Sequence, residues 1–233
     1  MARELEKHQL YQRSLIKKYR RELWNPFVAA VKNYRLIEEG DRVAVAVNGS
    51  AKSVVCALLM KQLHRVSDFP FEYKLIACDC DAERLSADFN LDFNAANGDC
   101  FSAAKDLNCN KIALDFTGTQ AVLTLLSSMF FGHKLQTVLP KERAGEQQII
   151  RPLYCISDDA VSAFERYNGL QFPAVRADDE RAAKLLKELK QKNPDVEKNI
   201  LNSLHAVCLE TLPGYTSKGK YFDFNEIYSN REN

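Results

Sequence analysis

Apolar positions along the chain fall into two recurring patterns. Short runs rich in Val, Ile and Ala show no polar alternation: Arg42–Val47 (RVAVAV), residues 73–78, and residues 111–115 (KIALD). Such runs predict strands buried on both faces. Between them lie longer segments with apolar residues on one side. Residues 54–66 predict a helix through Val55, Leu58, Leu59 and Leu63; residues 102–107 close another; residues 121–131 are strongly apolar and of helix length. Ser157 can cap a helix over 158–168. Ahead of the first strand, residues 9–35 predict helix with a break near Trp24-Asn25-Pro26, because Asn25 can cap and Pro26 suits a first turn. Residues 133–148 read as a polar loop, 149–153 and 172–175 as short extended runs, 178–192 and 195–210 as charged helices, and the residues after Phe224 as a fraying tail.

Strands alternating with helices imply an α/β fold: a doubly wound, mainly parallel sheet with helical extensions at both ends. The expected division is a helical extension over 1–35, an α/β domain over 36–176, and a helical segment and tail over 177–233. The first strand–turn–helix places residues 48–53 at the carboxyl end of a strand and the amino end of a helix, where a ligand is expected.

Composition changes this picture only locally. The chain has 233 residues and a net charge of +1, so bulk charge does not argue for nucleic acid. No apolar run approaches the roughly 18 residues of a membrane span, and the charged start has no signal core, so a cytoplasmic protein with no membrane partner is expected. The seven cysteines include no CxxC pair, and Cys78-Asp79-Cys80 at a strand end reads as structural. Reduced thiols are expected. The four histidines show no metal spacing, so no metal site is expected. Asp158 and Asp159 read as helix-start acids rather than catalytic groups. Arg13, Lys17, Lys18, Arg20 and Arg21 crowd one segment without an acid among them. With Lys134, Lys141, Arg143 and Arg151 they are candidates for an RNA-binding rim, against the simpler reading of solvated surface charge.

The loop Asn48-Gly49-Ser50-Ala51-Lys52-Ser53 resembles the PP-loop pattern SGGxDS, in which small residues let backbone amides wrap a pyrophosphate. Gly49 and Ser53 match. In order along the chain, LIEEGDRV at 36–43, KIAL at 111–114, Phe130-Phe131-Gly132, Lys134, Pro140-Lys141, IRPL at 150–153, Tyr154-Cys155, Phe172-Pro173 and Phe222-Asp223-Phe224 resemble framework segments of the same family. From about residue 10 to 224 the chain thus resembles the PP-loop ATP-pyrophosphatases, and among them the tRNA 2-thiocytidine biosynthesis enzymes. The resemblance implies the PP-loop fold, binding of ATP or AMP at Asn48, Gly49, Ser50, Lys52 and Ser53, tRNA as partner, a homodimer, and an iron–sulfur cluster held by two CxxC pairs.

Three features depart from that pattern. Lys52 replaces the loop acid that helps to hold magnesium; an ammonium cannot ligate the metal but can bind a phosphate. Phe89 and Asp92 stand where the first cysteine pair should fall, and AVRADDE at 174–180 where the second should, so an iron–sulfur cluster is not expected. Asp115-Phe116-Thr117-Gly118-Thr119-Gln120 replaces the family's GHHxDD-like motif. Three functions stay open: a catalytically degenerate relative that retains nucleotide, phosphate or tRNA binding; an active ATP-dependent tRNA-modifying or adenylating enzyme with altered, cluster-free chemistry; or a regulatory subunit that pairs with an intact paralogue. The family implies ATP-dependent sulfur transfer to tRNA, while the motifs that perform it are not intact.

Overall fold

The computed structural model describes residues 5–94, 99–173 and 179–225. The chain opens with α1 (Lys7–Arg13), continues through two π-helical segments, Ser14–Lys18 and Arg20–Trp24, and passes into α2 (Asn25–Asn33). The expected break at Trp24-Asn25-Pro26 is a change of winding: Trp24 is itself helical (φ −64°, ψ −50°) and Pro26 sits in the first turn, where its missing N–H costs nothing. The π winding is seen in Tyr19 N donating to Ser14 O at 2.9 Å, five residues back.

Six strands then form one sheet: β1 (Arg42–Val47), β2 (Glu72–Ala77), β3 (Phe93–Asn94), β4 (Lys111–Ala113), β5 (Lys141–Ala144) and β6 (Gln147–Ile150), in the order β3-β2-β1-β4-β6-β5. All neighbours are parallel except β5, which pairs antiparallel with β6 across the turn at Gly145. The helices between them are α3 (Ala51–Val66), α4 (Ala82–Phe89), α5 (Cys100–Asp106) and α6 (Gly118–Phe131), and α7 (Asp158–Tyr167) follows the last strand. The expected α/β sheet, mainly parallel and with helices between its strands, is present.

Alternation along β1 divides the core. Val43, Val45 and Val47 join Phe27 and Val31 of α2, the apolar face of α3, and Val161 and Phe164 of α7 in one cluster. Ala44 faces the other way and joins Ile76, Ile112 and Ala103 and Ala104 of α5. Helices therefore cover both faces, which is why these strands read as continuous apolar runs. The strand order reverses beside β1: its chain connection runs to β2 on one side, while β4 lies on the other. The carboxyl ends of β1 and β4 thus flank the switch point at which doubly wound sheets bind ligands.

Some elements lie outside the expectation. The polar loop at 133–148 contains the β5–β6 hairpin, and the extended run expected at 149–153 pairs over Gln147–Ile150 instead. Helix α4, capped by Asp81 and anchored by buried Leu85 and Phe89, was not anticipated. The extended run at 172–175 and the motif position at 174–180 lie partly outside the described residues.

The chain divides into two compact units, Met1–Glu188 and Leu189–Asn233. Helix α8 (Glu180–Lys192) spans that boundary. The second unit continues with α9 (Val196–Ser203), a 3-10 turn at Leu209–Thr211, and a hairpin of β7 (Gly214–Ser217) and β8 (Lys220–Asp223). The helix expected over 195–210 therefore ends early. Among the described residues no helix is long and apolar enough to cross a membrane.

Candidate functional site

The turn after β1 is held open by one glycine and closed by its own side chains. Gly49 has φ +77°, and a Cβ there would meet the Cβ of Cys80 at 3.0 Å, so both backbone and space call for glycine. Asn48 Oδ1 accepts from Ser50 N at 3.0 Å. Ser50 caps α3: its Oγ accepts from Ser53 N at 3.1 Å, while Ser53 Oγ donates back to Ser50 O at 3.0 Å. These bonds fix the amino end of α3, with its partial positive charge, at the carboxyl edge of the sheet.

Two carboxylates approach this turn from elements that are remote in the chain. Asp115, just past β4, accepts from Ser50 Oγ at 2.9 Å and from Asn48 Nδ2 at 3.4 Å, both on Oδ2. Asp158, the first residue of α7, accepts from Thr117 Oγ1 at 2.6 Å on Oδ1, and its Oδ2 stands 3.8 Å from Lys52 Nζ. Asp158 N in turn donates to Thr119 Oγ1 at 2.8 Å. Thr117 is fully buried and caps α6, exchanging bonds with Gln120 in a capping box. The segment that replaces the histidine/aspartate motif therefore caps a helix and holds Asp158. A pocket of about 300 Å³ opens beside Lys52, walled by Ser50, Ala51, Val161, Phe172 and Pro173, with Asp158, Ser162 and Glu165 as its polar groups. Asp158 was read as a helix-start acid, which it is, but its side chain also faces Lys52. One cation, helix amides and hydroxyls suit an oxyanion; the adjacent carboxylates would compete with it.

The structure thus brings Asn48, Gly49, Ser50, Lys52 and Ser53 together at the switch point. The basic candidates are scattered. Arg13, Lys17, Lys18, Arg20 and Arg21 are all exposed on the amino-terminal helices, with Lys18 Nζ 3.5 Å from the centre of the Tyr167 ring. Lys134 and Arg143 are exposed. Lys141 donates to Arg35 O at 2.9 Å. Arg151 is buried, bound to Leu139 O at 2.6 Å and paired with Glu142, so its charge serves the β5–β6 hairpin.

Three thiols gather beside the loop. Cys80 donates to Val47 O at 3.1 Å, and Cys78 donates to Ile76 O at 3.7 Å beside the Cys100 thiol at the start of α5. Burial, and then the Cys100 thiol, push Cys78 up to about 12. Burial likewise raises Cys80, and raises Cys56 far above the ordinary thiol range.

No protein-family model matches the chain. Its sequence is similar to the tRNA-cytidine(32) 2-sulfurtransferase of Geotalea daltonii, at 28% identity over 75% of this chain and 87% of that protein. It is similar also to the enzyme of that name from Geobacter metallireducens, at 29% over 81% and 90%. A third, from Geobacter sulfurreducens, is 29% identical over 75% and 85%. The fold is similar to that of a U34-tRNA thiolase from Methanococcus maripaludis, solved with its [4Fe-4S] cluster: TM-score 0.62, 13% identity, 84% of this chain and 81% of that one. The resemblance to 2-thiocytidine enzymes and the PP-loop fold are thereby supported.

The same comparison corrects one expectation. The sequence reading ruled against an iron–sulfur cluster because two aligned positions lack cysteine, yet the structural neighbour carries a [4Fe-4S] cluster. The aligned positions exclude Cys78 and Cys80, which read as structural at a strand end, and Cys100, which lies further along the chain; folding brings these two segments together beside the loop. Cys78 and Cys80 each donate to a backbone carbonyl, and among the described residues no three Cys, His, Asp or Glu side chains are grouped to hold a metal ion. Phe89 packs in the core against Tyr11 and Phe172. Residues 174–178, within the second expected cysteine position, lie outside the described residues.

Proposed function

We propose that this relative of the tRNA-cytidine(32) 2-sulfurtransferases binds tRNA and the phosphates of an adenine nucleotide, and has lost the metal-assisted adenylation of its relatives. The observation that carries the reading is Lys52. It stands where the PP-loop places its acid, on the first turn of α3, with its ammonium 3.8 Å from Asp158 at the sheet's switch point. An ammonium there neutralises phosphate directly, with the amino end of α3 and the Ser50 and Ser53 region as hydrogen-bonding surroundings. The replaced histidine/aspartate motif supports the second half of the reading. Thr117 and Thr119 hold α6 and α7 in place, and neither supplies a general base. Exposed Arg13, Lys17, Arg20 and Arg21 supply a surface for RNA phosphates.

The test is pyrophosphate and AMP release from ATP with magnesium and unmodified tRNA. The expected result is no release above the protein-free background, although ATP binds. Substrate-dependent release that is lost in Lys52→Ala would replace this reading with that of an active enzyme of altered chemistry. One observation favours that second reading: Asp115, 2.9 Å from Ser50 Oγ, brings a carboxylate back to the loop from β4.

A further inference from the structure

Lys52 and Asp158 meet from different elements, and the carboxylate is aimed without help from the lysine. Thr117 Oγ1 donates to Asp158 Oδ1 at 2.6 Å, and the Asp158 backbone N donates to Thr119 Oγ1 at 2.8 Å. These bonds leave Oδ2 turned toward Lys52 Nζ at 3.8 Å, beyond hydrogen-bond length, so the two groups attract as charges only. Among the described residues, the neighbouring carboxylates Asp115 and Glu165 are engaged elsewhere: Asp115 with Ser50 and Asn48, Glu165 with Phe172 N at 3.2 Å. Lys52 is 14% exposed and Asp158 39%, so the pair sits at the pocket wall where a solute can reach it.

We propose that Asp158 is a positioning residue for Lys52, an internal counter-anion that a phosphate group must displace, and that it thereby sets how tightly the loop holds phosphate. The inference rests on the reading of Lys52 as the loop's phosphate ligand. A carboxylate solute offers Lys52 the same single charge that Asp158 already supplies at no translational cost. A phosphate dianion offers two charges and more acceptor oxygens, and it can also take hydrogen bonds from the amino end of α3. Asp158 therefore lowers the affinity of the loop for anions in general, and for a phosphate dianion at least as much as for a monoanion, because its charge repels two charges more than one.

The test is calorimetric titration of inorganic phosphate, and separately of acetate, into the full chain, Asp158→Asn and Asp158→Ser. The second substitution keeps a residue suited to a helix start should the first fail to fold. Partly exposed ion pairs are weak, so removal of the counter-anion is expected to tighten phosphate binding by about two- to fivefold. Acetate should tighten no more than phosphate does, and both changes should shrink when Lys52→Ala is added. A merely structural role for Asp158 would weaken binding instead. Lys52-dependent phosphate binding in the wild type with unchanged or weaker binding in both variants overturns the inference and leaves the site reading standing. Binding that appears only once Asp158 is replaced supports it. No binding in any of the three proteins removes the site reading, and the inference with it.

Discussion

At the amino edge of the sheet Lys111 Nζ and Asp41 Oδ2 meet at 2.6 Å, with side chains 5% and 9% exposed. At the carboxyl edge Lys52 and Asp158 stand 3.8 Å apart, 14% and 39% exposed. The first pair is saturated. Lys111 also donates to Leu36 O at 3.0 Å, and Asp41 accepts from Asn110 Nδ2 at 2.8 Å and Glu38 N at 2.6 Å. The second is long, borders a pocket, and is satisfied on the acid side chiefly by Thr117. Charges of the same kind at opposite ends of the same strands thus differ in what they can still bind. The saturated pair ties β1, β4 and the connection ahead of β1 together; the loose pair can exchange a partner.

Breaking the comparison at its strong end should have the largest effect. Lys111→Met leaves a buried carboxylate without its ion partner and should cost about 3 kcal/mol or more in urea unfolding. A loss well under that would mean that Asn110 and Glu38 alone satisfy Asp41. Thr117→Val removes the cap of α6 and the hydroxyl on Asp158; about 1–2 kcal/mol should be lost. The melting transition should stay cooperative, since the fold's main cluster does not include Thr117.

The thiols beside the loop give the weakest and most specific effect. Burial moves Cys78 from 9.0 to about 12, so the folded protein keeps a proton that the unfolded chain releases. This contribution is present in full below pH 9 and is lost as pH rises toward 12. Stability should fall with pH in that window, and the slope should lessen in Cys78→Ser. An unchanged slope would mean that other buried groups, such as Cys56 and Tyr34, account for it.

Much of the amino edge and the loop was legible along the chain, because the information is local. RVAVAV followed by a small polar turn and an apolar helix face specifies strand, turn and helix by period and cap alone. The site was legible only in half. Asn48 to Ser53 are contiguous, but Asp115 and Asp158 reach them only through the strand order that sets β4 beside β1 and β6 beside β4. Sequence showed both acids and assigned Asp158 its helix-start role, yet nothing linear places its side chain against Lys52. The same limit hid the meeting of Cys78 and Cys100. The β5–β6 hairpin was missed for another reason: KERA carries no apolar alternation, since it forms an edge strand with little buried surface. Helix α4 did leave a signal, in Asp81 as a cap and Leu85 and Phe89 four apart.

The central claim is that the loop binds phosphate through Lys52 without a metal. Calorimetric titration of ATP and AMP into wild type and Lys52→Ala, each in EDTA and in magnesium, tests it most directly. Replacing Lys52 removes only a weak pair and should change stability by less than about 1 kcal/mol, so both proteins can be compared folded. The expected result is binding to the wild type in EDTA that is lost in Lys52→Ala. Binding that requires magnesium and survives the substitution, or no binding in the wild type under either condition, would contradict it.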